Sequence, residues 1–212
     1  YCSTGSEGRI SISGLVLPDD PHGAYRMSKT FAKYGNGRST DQTNLKLAEL
    51  FAEALDICNK TEGSHIRFSD YDTFVVIHAG MGRETSGALN DIPSAYLGDA
   101  DFKTYLGGPL VVDGFEISNG IILPEMASDY GLAGLNGIFA QMFGHRLGLP
   151  SLSNGKDGLP AAGGWSLMDT GGMAYGHMTR GFVPTHPCAW SKIALGFISP
   201  VTVTSEIGRA HV

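Results

Sequence analysis

At 212 residues, with 42% hydrophobic and 17% charged side chains, the chain carries enough apolar material for one ordinary globular domain and is not composed like a disordered segment. The formal net charge of -6, with lysines and arginines scattered rather than gathered into a stripe, argues against a nucleic-acid partner. No apolar run approaches the roughly 20 residues that span a bilayer, and Tyr1 to Ser13 lack the charged-then-apolar layout of a signal peptide, so any targeting segment is expected outside this chain.

In chain order, RISISGLVL from Arg9 to Leu17 alternates apolar and polar residues and predicts a strand, closed by Pro18-Asp19-Asp20-Pro21. Between Asn44 and Lys60, Leu47, Leu50, Phe51, Ala54, Leu55 and Cys58 recur at helical spacing. They predict an amphipathic helix with Thr43 available as N-cap and Glu49 and Glu53 facing water. Thr73 to Ala79, ending at Gly80, predicts a strand buried on both faces in the middle of a sheet. Gly80 to Leu106 reads as one long structured loop. Leu110–Val112, Phe115–Ile117 and Ile121–Leu123 read as short strands separated by hairpin turns at Asp113-Gly114 and Asn119-Gly120.

Gly134 to Leu149 predicts a second helix through Leu135, Ile138, Phe139, Met142, Phe143 and Leu147, stopped by Gly148 and Pro150. A Gly-rich loop then reaches Trp165, and Pro187 opens a last helix through Trp190, Ile193, Ala194 and Phe197, ended by Pro200. The 30 glycines show no repeat, which indicates tight turns and long shaped loops. Cys2, Cys58 and Cys188 are too widely spaced for a zinc knuckle or redox pair; one bridge with a free thiol, or no bridge at all, both fit. Asn59-Lys60-Thr61 matches a glycosylation acceptor pattern, to which no function is assigned.

The helix ending near Leu149 carries Gln141-Met142-Phe143-Gly144-His145-Arg146-Leu147-Gly148-Leu149-Pro150-Ser151, the frame of H-E-x-x-H-x-x-G-x-x-D with only the second His and the Gly in place. In that frame two ligands four residues apart leave the helix on one side, the glycine turns the chain, and a third ligand closes a zinc site. The glutamate takes the proton of the metal-bound water. Downstream, Gly163-Gly164-Trp165-Ser166-Leu167-Met168-Asp169 looks like the methionine-containing turn beneath the metal of metzincin-type peptidases. Together with GHRLGLPSL, HPCAWSKIALGF and the upstream YDTFVVIHAGMGRE, these segments resemble the immune inhibitor A-like family of secreted zinc metallopeptidases, from about Asp70 to Phe197.

The resemblance implies a single α+β domain over residues 1–212, zincin- or metzincin-like, its twisted mixed sheet packed on both helices, within a larger secreted or cell-surface protein. By position it sets Gln141 where the first zinc-binding His belongs, Met142 in place of the catalytic Glu, His145 as the remnant ligand position, Ser151 in place of the third ligand and Met168 in the turn. Zinc binding is therefore expected to fail. His78, Glu84, His177 and His186 could rebuild a metal site with His145 only if folding brings them there. Asp70, Asp72, Glu84, Asp91, Asp99 and Asp101 gather in sequence around the long loop, where they are either calcium ligands or solvated acids.

Three functions follow as expectations. One is a pseudopeptidase that binds a peptide in the vestigial cleft or packs against other domains of the same protein. The second is an active peptidase with a non-standard metal site, and the third a structural module of an extracellular assembly, suggested by the abrupt ends at Tyr1 and Val212.

Overall fold

The computed structural model describes residues 2–20, 22–127, 134–155, 157–176 and 179–202. Its first elements are a short helix α1 (Cys2–Gly5), α2 (Phe31–Gly35) and the long helix α3 (Thr40–Glu62). The strand expected over Arg9 to Leu17 is not formed: residues 9–16 lie outside any regular element, and Ile12, Leu15 and Val16 are exposed. Alternation supplies a strand's side-chain pattern, but a strand also needs a paired neighbour, and no sheet includes this segment.

Helix α3 begins before the expected Thr43. Ser39 caps it, its Oγ accepting from Gln42 N at 3.2 Å, and the Gln42 side chain accepts from Arg38 N at 3.1 Å. The first turn is thus closed before Thr43 is reached. Leu47, Leu50, Phe51, Ala54, Leu55 and Cys58 form its buried stripe, as the spacing predicts. Glu49 and Glu53 do not simply face water: Glu49 pairs with Lys29 at 2.7 Å, and Glu53 accepts from Ser28 N at 2.6 Å and from the Tyr34 hydroxyl. These bonds tie the segment before α2 along the outside of α3.

The main sheet is mixed and small. Strand β1 (Phe74–Met81) is followed by a helical turn α4 (Arg83–Ser86), strand β2 (Ala95–Gly98), helix α5 (Asp99–Leu106), the hairpin strands β3 (Leu110–Val112) and β4 (Phe115–Ile117), and β5 (Asn119–Met126). The spatial order is β1-β5-β2, with β1 parallel and β2 antiparallel to β5. The central strand is therefore β5, and β1 is an edge. Phe74, Val76 and His78 of β1 face α3, whereas Val75 and Ile77 on the other face are 41% and 58% exposed. The continuous β-branched run promised burial on both faces, but only one face is covered.

The span Gly80 to Leu106 is not one loop, since α4, β2 and α5 lie within it. Each is too short for periodicity to register: β2 is held by its pairing with β5, while α5 is opened by Asp101 Oδ2, which accepts from Gly98 N at 2.8 Å, and ended by Gly107, at φ 77°. The Asp113-Gly114 turn forms as expected, with φ of 50° and 73°, both positive as a two-residue hairpin requires. The Asn119-Gly120 turn does not. Both residues lie in β5, where Gly120 makes room for the Phe51 ring of α3.

β5 divides the core. Ile122 packs with Phe51 and Phe102 on the α3 side, while Ile121 and Leu123 pack with Ile138 of α6 (Leu135–Arg146) on the other. The chain continues through the short ladder of β6 (Tyr175–Gly176) and β7 (Thr179–Arg180) to α7 (Ala189–Ala194), which starts after Cys188 rather than at Pro187. Cys58 and Cys188 are free thiols, so no bridge joins them, and the Cys2 side chain lies outside the described ones. The architecture is thus mixed α+β with a small mixed sheet.

A Cβ built on Gly120 would lie 2.0 Å from Phe51 Cζ, whereas one on Gly108 meets nothing within 4 Å. Gly120→Ala should lower unfolding stability by about 1–3 kcal/mol through overpacking, and Gly108→Ala should change it by less than about 0.5 kcal/mol. Urea unfolding curves with an unchanged slope would measure both.

Candidate functional site

The residues of the degenerate motif lie on and just beyond α6. Helical geometry sends Gln141 and His145, four positions apart, to the same side. The start of the helix is docked by Gly137, whose N–H donates to Gly181 O at 2.8 Å and whose added Cβ would sit 1.7 Å from Gly172 O. Its end reverses through Gly148, at φ 91°, and Leu149 N returns to Gly144 O at 3.0 Å. This reversal turns the Leu149 carbonyl toward His145, whose Nδ1 is 2.9 Å away. A carbonyl can only accept, so Nδ1 carries the proton of this bond.

Beneath the helix lies the turn Ser166–Asp169. Met168 is fully buried, and a Cβ on Gly144 would stand 2.5 Å from its sulfur, so the missing side chain at Gly144 is what lets helix and turn meet. The Gln141 amide donates to the backbone carbonyl of Asp169 at 3.2 Å. Helix and turn are thereby joined by apolar packing, in which Ala140 also meets Leu167 and Met168, and by one polar contact.

The turn is held by the side chain of Asp169, which is 6% exposed. Oδ2 accepts from Ala161 N, Ala162 N and Gly163 N at 2.9, 2.8 and 2.8 Å, and Oδ1 accepts from Thr170 N at 2.8 Å. Burial by itself would push the carboxyl pKa up, but these four backbone donors outweigh it and hold the group below the ordinary carboxylate range. Asp169 thus gathers the Gly-rich loop before Trp165 around a single charge. In one dimension Asp169 is only the residue after Met168. Its burial beside three consecutive loop amides has no one-dimensional signature.

The remaining motif residues are placed apart from any shared chemistry. Met142 packs into the apolar cluster between α6 and β5. Ser151 is exposed and its hydroxyl meets that of Ser153 at 2.8 Å. The donors at the three ligand positions are thus an amide already bonded to backbone, one imidazole and a hydroxyl bonded to a neighbouring serine. Only the imidazole is an ordinary zinc ligand, so this set does not fit a zinc ion.

Among the described residues, the histidines and acids singled out in the sequence do not gather with His145 into a group of three that could hold a metal ion. His78 is 8% exposed on the opposite, α3-facing side of the sheet, against Phe31, with Nδ1 2.9 Å from Ala79 O. Burial holds its pKa below the usual imidazole value, although the Ala79 carbonyl and the charge of Glu84 act the other way. His186 contributes its carbonyl to Leu167 N at 3.1 Å, and His177 lies outside the described residues.

Asp70 is paired with Arg67, Glu84 accepts from Ser94, Asp99 pairs with Lys103, and Asp101 caps α5. Asp72 is exposed just before β1, and Asp91 is half-buried. Among the described residues no three His, Cys, Asp or Glu side chains converge on a point that could hold a metal ion. No described helix is long and apolar enough to cross a membrane. Comparison with protein-family models, with curated proteins and with solved structures gives no match for this chain.

The lowered pKa of Asp169 fixes the sign of a pH effect. Between the folded and unfolded pKa values the unfolded chain binds more protons, so stability rises with pH there. The contribution is fully present above the ordinary Asp value of about 3.9 and is lost as pH falls through the folded value. Asp169→Asn should lower stability at pH 7 by about 1.5–3 kcal/mol, with the gap to the native protein closing as the pH drops below about 4. Urea unfolding of both proteins across that range measures it.

Proposed function

We propose that this chain is a peptidase-like domain akin to the immune inhibitor A-like zinc metallopeptidases, with a zincin- or metzincin-like fold whose catalysis has been lost. Its role is then that of a binding or structural module in a secreted or cell-surface protein. The observation that carries this reading is the docking of α6 on the Ser166–Asp169 turn through Gly144, Met168 and Gln141. A methionine turn beneath a metal-binding helix needs this contact, and the hydrogen bond from His145 Nδ1 to a backbone carbonyl is the outer-shell bond that orients a ligating imidazole. The scaffold supports descent from a zinc site, while the side chains on it argue against present chemistry.

Two independent losses make that case. One imidazole cannot hold zinc against water, since the amide at Gln141 and the hydroxyl at Ser151 are not competitive zinc donors. The thioether of Met142 cannot accept a proton at neutral pH, and loss of a positioned base alone lowers rates by about 10²–10⁴-fold.

A peptide is the partner the cleft favours. β2 is the antiparallel edge of the described sheet and lies beside α6, and an extended peptide adds to such an edge through its backbone. Packing against other domains of the same protein or within an extracellular assembly uses the same surfaces without a free ligand.

Metal analysis with a peptidase assay decides between this reading and an active peptidase with a non-standard site. The native protein should carry no stoichiometric transition metal and hydrolyse no peptide. Gln141→His combined with Met142→Glu and Ser151→Asp should take up about one zinc per chain, because the backbone that oriented the ligands is intact. A tightly held metal in the native protein that vanishes in His145→Ala, accompanied by hydrolysis, would establish the active alternative. A triple variant with no gain in zinc affinity would refute the matching of α6 to a metal-binding helix.

A further inference from the structure

Away from the candidate site, the imidazole of His78 is buried at the end of β1, beneath α2. It is 8% exposed, its Nδ1 lies 2.9 Å from Ala79 O, and its Nε2 is buried with no hydrogen-bond partner. The Ala79 carbonyl can only accept, so Nδ1 supplies the proton of that bond, and a second proton, on Nε2, would be buried without a partner. The Ile92 carbonyl is near enough to favour the charged ring but is not placed to bond it, and it already accepts from Arg83 N at 3.2 Å. The Phe31 ring at the start of α2 lies against the imidazole, with centroids 5.4 Å apart.

The elements over His78 are tied to one another. Arg83 donates to Asp91 O at 3.0 Å and to Gly35 O, and Arg38 donates to Leu89 O at 2.9 Å and to Asn90 Oδ1 at 2.6 Å. A Cβ on Gly35 would stand 1.9 Å from Asn90 O. Helix α2 and the connection from Gly82 to Ile92 thus form one packed unit, joined to α3 by the bond from Tyr34 to Glu53. Beneath it β1 is irregular: its register with β5 shifts between His78 and Met81, and Gly80 stands at φ 84°. The connection runs on to Ser94, whose N–H donates to Glu84 at 3.1 Å directly before β2, so the unit abuts the start of that edge strand.

The groups around the ring set the sign of a proton's effect. α2 presents Phe31, with Lys33 exposed and Tyr34 bonded to Glu53, and α3 presents a buried stripe whose one titratable side chain is the Cys58 thiol. α4 brings the Glu84 carboxylate, with the Arg83 guanidinium turned to backbone carbonyls and Asp91 half-buried further along the same connection. β5 brings the carboxylate of Glu125, which accepts from Gly80 N at 2.8 Å. Burial outweighs the Ala79 and Ile92 carbonyls and both carboxylates, and holds the imidazole pKa below its usual value. Opening admits water and restores the ordinary value of about 6.5. Between the lowered and the ordinary value the open form binds more protons, so opening is favoured as pH falls below about 6.5 and the closed form is fully stable above it.

We infer that His78 is a pH-sensitive latch: protonation of its imidazole releases α2 and the Gly82 to Ile92 connection, as one unit, from the end of β1.

Hydrogen exchange by mass spectrometry on the whole chain, corrected for the pH dependence of intrinsic exchange, tests this at pH values of about 7.5 and about 5.5. Peptides covering residues 28–36 and 82–94 should open about 5–10-fold more at the lower pH, while peptides from α6 change by less than about twofold. His78→Phe fills the site with a ring that does not titrate, and His78→Asn keeps a donor for the Ala79 carbonyl; each should lose the dependence, and one folded variant suffices. Opening of the two segments that does not grow on acidification of the native protein would overturn the inference, whether or not a variant folds. So would a loss of protection that extends equally to α6, or a dependence that survives in either variant.

Discussion

The contact between Gly144 and Met168 is the constraint on which the candidate site depends. A helix and a turn far apart in sequence meet there at a separation that only a glycine permits, with the methionine sulfur filling the space a side chain would have taken. Once that contact is set, the sides of α6 are no longer free to rotate. Gln141 is brought over the carbonyl of Asp169, and His145 is left at the helix end where Leu149 can orient it. The buried carboxylate of Asp169 then fixes the loop preceding the turn, so an apolar cluster and one charge hold the floor beneath α6.

If the proposed descent holds, this floor explains how the site keeps its shape without the chemistry. Zinc ligands and a general base stabilise a metal and a transition state, but the parts that hold α6 in place here are Gly137, Gly144, Met168 and Asp169, none of which needs a metal to make its bonds. The Gln141 side chain donates to backbone at a position where, by the proposed descent, a ligand stood. A polar group freed from ligation on a partly buried helix face would otherwise be left unsatisfied, and its bond to Asp169 removes that penalty.

Legibility in the sequence followed the range of the interaction. Helices α3 and α6 could be read because their apolar stripes repeat over several turns, and the Asp113-Gly114 hairpin because its two residues carry the required dihedrals themselves. Gly120 was misread because a glycine that admits a ring and a glycine that makes a turn look alike in one dimension; only the position of Phe51 distinguishes them. The apolar residues on both faces of β1 suggest a central strand, whereas centrality is a property of neighbours, and β1 is an edge. In the site, the helix that carries Gln141 and His145 was legible from its spacing. The hub made by Asp169 was not, since its donors are backbone groups common to every residue.

The two halves of the core are bound to each other through β5, and this limits what the cleft can do. Ile121 and Leu123 rest on α6, Ile122 and Gly120 on α3, so a displacement of the site helix must be transmitted to the strand that also seats Phe51 and Phe102. An α6 that moved to admit a ligand would have to break packing on one side without relief from the other. A ligand bound beside it is therefore better accommodated along β2, where backbone groups at an edge can pair without shifting the helix. Under the proposed function, a partner is therefore added at the rim beside β2, without a movement of α6.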